Sequence, residues 1–173
     1  MTREQVDTLL LGYHEMVGRC GHIGAEIASL EQKITGIREE FERDAAAPAI
    51  SRIDGMPRGT TLSDPTQRIA LKLADGEAYR QSDAYRRECA LRDEIAALER
   101  ERAEKRLRIQ YVDSWLSGLA DRERWVIERH LIDGDIWHDI ITPFNRRYDD
   151  DVTKDRLKRI QQKALEKIYG MAA

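Results

Sequence analysis

Long apolar runs are missing from this chain. No stretch approaches the roughly 18 apolar residues that a membrane-spanning helix needs, so no membrane partner is expected. The start, Met1-Thr2-Arg3-Glu4-Gln5, lacks the charged-then-apolar pattern of a signal peptide, and a cytoplasmic protein is expected. Cysteine is scarce. Cys20 and Cys89 lie on predicted helices without CxxC spacing, which favours reduced thiols over a disulfide or a metal site. His14 and His22, like His130 and His138, are eight residues apart and miss the i,i+4 spacing that puts two imidazoles on one helix face for zinc. There is no glycine-rich phosphate loop and no nucleophile with an accompanying base, so neither an enzyme nor a bound cofactor is expected. Aromatic residues make up only 6% of the 173 residues while 35% are charged, a balance that suits helical, partly coiled proteins better than enzymes with large cores. A positive excess is also lacking: the net charge of −3 argues against indiscriminate nucleic-acid binding.

Proline is confined. Pro48, Pro57 and Pro65, with Gly55 and Gly59, interrupt 45–67, and the fourth proline is Pro143. Before that stretch, Val6, Leu9, Tyr13, Met16, Cys20, Ile23, Ile27, Leu30, Ile34, Ile37 and Phe41 alternate 3 and 4 apart, a heptad seam five repeats long. One helix of about 54 Å would carry it, too long to stand without a partner along its length. Gly12, Gly18, Gly21, Gly24 and Gly36 weaken it locally, each by up to about 1 kcal/mol relative to Ala. A second long helix is predicted from near Thr66 through Leu116, with a seam at Leu91, Ile95, Leu98, Ile109, Val112 and Leu116 interrupted by Arg102 and Lys105. The run Glu99 to Arg106 reads as a solvated face with i,i+4 pairs. Two such helices fold back as an antiparallel pair or pair between chains in a homodimer, and both remain open.

The stretch from Leu119 to Ile168 carries the functional signal. Asp121 is a predicted N-cap for a helix over Arg122 to Leu131, stopped at Asp133-Gly134. Asp135 is the predicted cap of a second helix with Ile136, Trp137, Ile140 and Ile141. Pro143 should kink or restart it, while Phe144 and Tyr148 extend the same apolar side for a further turn or two. After Asp149-Asp150-Asp151, a turn and not a cation site, Thr153 is placed to cap a last helix with Leu157, Ile160, Ala164 and Ile168 inward. From Val152 to Ala173 six residues are basic (154, 156, 158, 159, 163, 167) and two acidic (155, 166), so positive charge is concentrated on this one helix. Arg156, Lys158, Arg159, Gln162 and Lys163 face away from its apolar side, with Lys154 at its start. Lys and Arg serve phosphates or guanine edges, and Gln pairs with adenine. These are the ingredients of a helix-turn-helix whose last helix enters the major groove, although Thr142 to Val152 is long for the three or four residues of a compact turn.

Leu119-Ala120-Asp121-Arg122-Glu123-Arg124, Asp133-Gly134, Ile136-Trp137-His138-Asp139-Ile140, Leu157-Lys158-Arg159-Ile160 and Lys163-Ala164-Leu165-Glu166-Lys167-Ile168 follow one another in a fixed order. Together they resemble region 4 of bacterial sigma factors and the phage late-gene transcription regulators of the ArpU/RinA type. Ile53-Asp54-Gly55-Met56-Pro57-Arg58-Gly59 and Ser63-Asp64-Pro65-Thr66 are similar to a segment of the same regulators. The resemblance implies an all-α protein: a long antiparallel, coiled-coil-like helical hairpin over 1–118 with a connection at 45–67, then a sigma region 4-like helix-turn-helix domain over 119–173. It implies a sequence-specific regulator encoded by a phage or prophage, with double-stranded DNA as partner through Lys154, Arg156, Lys158, Arg159, Gln162 and Lys163, and RNA polymerase beside it. A complete sigma factor is not expected, because the first 118 residues read as coiled helices. Two other classes remain: a DNA-packaging component like a terminase small subunit, and a coiled-coil module that binds protein alone. A ring of about eight subunits or more would mark the first. The basic face of the last helix speaks against the second.

Overall fold

The structure, a computed structural model, describes residues 1–46 and 76–173, with side chains through Asp44 in the first stretch. The connection expected at 45–67, with its two motif fragments, and the start expected near Thr66 lie outside the described residues. Among those described the regular structure is helical and contains no strand, so the chain is all-α: α1 (Arg3–Leu11), α2 (Tyr13–Ala46), α3 (Asp83–Ser117), α4 (Asp121–Ile127) continued by a π-helical turn (Glu128–Ile132), α5 (Trp137–Tyr148) and α6 (Lys154–Ala172). No helix among the described residues is long and apolar enough to cross a membrane.

The single helix expected along the first seam is two helices. Thr2 starts α1 with a reciprocal cap: its hydroxyl accepts from the Gln5 N–H, and the Gln5 side chain accepts from the Thr2 N–H. Gly12 ends it with φ −88° and ψ 4°, and its N–H donates to Thr8 O. A Cβ there would lie 3.1 Å from that oxygen, a close approach that glycine avoids. The seam residues themselves are buried or half-buried from Val6 through Phe41. Ser82 sets the start of α3, its hydroxyl accepting from the Tyr85 N–H.

Contacts divide the chain into two packing units, Ala25–Glu99 and a second formed by Met1–Gly24 with Arg100–Ala173. In the first, Ile27, Leu30 and Ile34 of α2 and Ala84 of α3 are buried, with Leu91, Ile95 and Leu98 half-buried. Glu88 is 1% exposed in this thin apolar seam. Its carboxylate accepts from the Arg38 guanidinium at 2.9 and 2.5 Å and from the Tyr79 hydroxyl, and Arg92 lies 2.6 Å away. The Arg38 bonds outweigh burial and hold the Glu88 carboxyl down at about 2, so the group is ionised and fully partnered.

The second unit holds two apolar clusters. In one, Val6 and Leu10 of α1 meet Val112, Trp115 and Leu116 of α3, Leu119, Ile127, Ile132, and Ala164 and Ile168 of α6. In the other, Val126, Ile140, Phe144, Val152 and Leu157 pack together, Phe144 within 5.5 Å of the Trp125 ring and 4.7 Å of Tyr148. At about 1.5–3 kcal/mol for each large apolar side chain removed from water, these clusters dominate the stability of the unit. Along α2 and α3 within this unit, Tyr13 reaches Asp113 at 2.8 Å and Arg19 reaches Glu101 at 3.0 and 3.1 Å. Positions advancing on α2 therefore meet positions retreating on α3. The charged run of α3 carries its i,i+4 pairs, Glu101 with Lys105 and Glu104 with Arg108.

Candidate nucleic-acid interface

The elements from 119 onward differ from expectation in small, physically legible ways. Ala120, not Asp121, occupies the N-cap of α4, because the Glu123 carboxylate takes the Ala120 N–H at 3.2 Å. Asp121 is drawn elsewhere: it accepts from the Tyr148 hydroxyl at 2.7 Å and from Arg124 at 3.3 Å, and the Tyr148 bond leads in holding its pKa below the ordinary value. The helix expected to reach Leu131 changes after Ile127 into the wider π-turn, which brings Ile132 into the core. Gly134 then takes φ +77°, the left-handed conformation that its position after the helix requires. Ile136, not Asp135, is the cap residue of α5. Asp135 instead pairs with Arg129 at 2.5 Å, while its carbonyl is 2.8 Å from Nδ1 of His130, whose ring lies 3.9 Å from that of Trp137.

Pro143 does not end α5, which runs on to Tyr148 and buries Phe144 beside Ile140. The link to α6 is therefore only Asp149–Thr153. Asp149 closes α5 with φ +46°, a conformation that Asp tolerates better than most residues. The Asn145 amide then holds Val152 from both sides, accepting its N–H at 2.9 Å and donating to its carbonyl at 3.3 Å. Arg122 of α4 donates to Asp150 at 2.8 Å and stacks over Tyr148, 5.2 Å from the ring centre. The turn is thus fixed by side chains of α4 and α5. Thr153 stands at the N-cap of α6 as expected, without a side-chain cap bond.

Along α6, Leu157, Ala164 and Ile168 are buried and Ile160 is half-buried, so the inward face is the one expected. Lys154, Arg156, Lys158, Arg159, Gln162 and Lys163 are all exposed, the last five on the side of the helix away from its apolar face and Lys154 at its start. Arg156 is the one among them with an ion-pair partner, Asp150 at 3.6 Å. The charge of Lys163 is felt by Glu123. Lys154, Lys158, Arg159 and Gln162 have no hydrogen-bond or ion-pair partner among the described residues.

The other cation of α6, Lys167, is part of the scaffold. It donates to both oxygens of the nearly buried Glu123, at 2.8 and 2.6 Å. Burial works to raise the Glu123 pKa, but the Lys167 bonds and the Ala120 N–H bring it below the ordinary value, so the pair is ionic. Residue spacing could not reveal this partner 44 positions away. Arg146, exposed on α5 without a partner among the described residues, is a further cation that sequence reasoning passed over. Its signal was its place on the polar side of a helix whose apolar side carries Ile140 and Phe144. Comparison with known proteins finds no family model, no curated protein and no solved structure that matches the chain.

Proposed function

We propose that the chain is a sequence-specific, double-stranded DNA-binding transcription regulator of the phage type, in which α5, the five-residue link and α6 act as a helix-turn-helix and α6 enters the major groove. In this reading 119–173 is the DNA-binding part, and α2 with α3 form an antiparallel helical hairpin that carries it. The protein acts without catalysis, in the cytoplasm, with RNA polymerase and a second copy of the chain as its further partners.

One observation carries the reading. The inward face of α6 is committed to two apolar clusters, while its first half exposes Lys154, Lys158, Arg159 and Gln162 with no use inside the protein. Exposed cations and an amide on one helix match what the groove offers: phosphates along its walls, and the guanine and adenine edges on its floor. The five-residue link also comes closer to a compact turn than the stretch Thr142 to Val152, because Thr142 to Tyr148 belong to α5.

The test is a binding assay of the full chain against DNA fragments from its own genome. One fragment bound well above the rest is expected, with affinity falling as salt rises at a log–log slope of roughly −0.9 per phosphate contacted. Equal weak binding to every fragment, or none, overturns the reading. A ring of about eight copies or more in solution would move the same DNA-binding surface to a packaging role.

A further inference from the structure

The outward side of α6 is not uniformly basic. With Leu157 pointing inward and about 100° between successive residues, Asp155, Arg159, Gln162 and Glu166 lie about 160°, 200°, 140° and 180° from it and form the outermost ridge. Lys154 and Lys158 flank the ridge on one side, at about 60° and 100°, and Lys163 and Arg156 on the other, at about 240° and 260°. Acid, cation, amide and acid therefore stand in line, with cations on both shoulders.

In a groove, the shoulders of a helix meet phosphates and its ridge meets base edges. A carboxylate on a shoulder would be repelled. On the ridge it faces the floor, where the exocyclic amine of cytosine is a donor that carboxylates accept. Asp155 is exposed and, among the described residues, has neither an ion-pair nor a hydrogen-bond partner. It does not pair with Arg159, four residues on, although that spacing permits a pair. Its carboxylate is uncommitted.

Resting on the DNA reading above, we infer that Asp155 is a specificity-determining residue that accepts from the N4 amine of a cytosine. Asp155 and Arg159 are separated by about 6 Å along the helix, close to two base steps of about 3.4 Å. Arg159 and Gln162 are about 4.5 Å apart, nearer one step than two. The site is therefore a cytosine about two base pairs from the guanine taken by Arg159, with an adenine next beyond that guanine. Glu166 continues the ridge beyond Gln162, in the half of the helix that is anchored to the core.

The inference is tested by selecting bound sequences from a randomised duplex pool with the full chain, with Asp155→Ala and with Asp155→Asn, and by titrating each protein against a random duplex. The wild type should enrich cytosine at that spacing. Asp155→Ala should lose that preference by about tenfold, keep the guanine preference, and bind random duplex more tightly because a negative charge is gone. Asp155→Asn should shift the position toward adenine, which an amide pairs with. Thermal midpoints of the same proteins separate this readout from the favourable effect of a carboxylate on a helix N-terminus, which moves stability and not base preference. If Asp155→Ala strengthens binding to every duplex and leaves the base profile unchanged, Asp155 is only a repulsive charge; the inference falls and the DNA reading stands. If the wild type enriches no sequence, the DNA reading falls and takes this inference with it.

Discussion

The two halves of α6 share a helix and do opposite work. From Ala164 onward the helix is tied into the protein: Ala164 and Ile168 are fully buried, Lys167 holds Glu123, the Tyr169 hydroxyl donates to Asp7 at 2.8 Å, and the Met1 amine donates to Ala172 O at 2.8 Å. From Lys154 to Lys163 only the inward face is used, and the outward side chains are left largely unpartnered. A helix anchored over its second half can present its first half rigidly, without spending the side chains that face solvent. On the proposed function, geometry for recognition comes from the core, and chemistry from residues the core does not need.

Ile168→Asp should damage the anchored half most severely. An unpaired carboxylate in the cluster of Val6, Leu10, Val112 and Ile127 should cost about 4 kcal/mol or more and abolish cooperative unfolding by calorimetry. Gln162→Asp, the same carboxylate on the free half, should stay within about 0.5 kcal/mol of the wild type.

Glu123→Gln probes the anchor more gently. Because Lys167 is partly exposed, the loss should be only about 1–2 kcal/mol at neutral pH. The folded Glu123 pKa lies below its ordinary 4.5, so the contribution of its charge is fully present above that value and is lost as pH falls through the folded value. Wild type and variant should therefore converge in stability in acid below about 4.5.

On the half proposed to read DNA, Arg159→Ala and Gln162→Ala should each cost about 1–3 kcal/mol on the preferred duplex and little on random DNA, with an unchanged thermal midpoint. Lys158→Ala should weaken both duplexes and reduce the salt slope by about one. Arg156→Ala should do less than Lys158→Ala, since Arg156 shares its charge with Asp150.

Which parts could be foreseen follows from what each signal encodes. The 3 and 4 spacing of Val6 through Phe41 specifies a buried face, and that face is buried. It carries no information on what covers it, so the packing of α1 against α6 could not be read from spacing. Asp133-Gly134 and the inward row of α6 were legible because a left-handed glycine and a helical stripe are local properties. The cap positions fall one residue before Asp121 and one after Asp135, whose carboxylates go instead to Tyr148, 27 residues away, and to Arg129, six residues back. The π-turn has no sequence signature, and the Lys167–Glu123 pair joins residues that only the fold brings together. Of the residues proposed to face DNA, the five read as opposite the apolar side are exposed, and so is Lys154 at the helix start. The attachment of Arg156 to the Asp150 turn needed the structure.

The most direct measurement is a titration of the double variant Arg159→Ala/Gln162→Ala, beside the wild type, on the preferred duplex and on a random one at the same salt. The ridge of α6 should lose at least about thirtyfold in affinity for the preferred duplex, with random binding nearly unchanged and the thermal midpoint preserved. Undiminished binding to the preferred duplex by a double variant that is still folded would contradict DNA reading by α6.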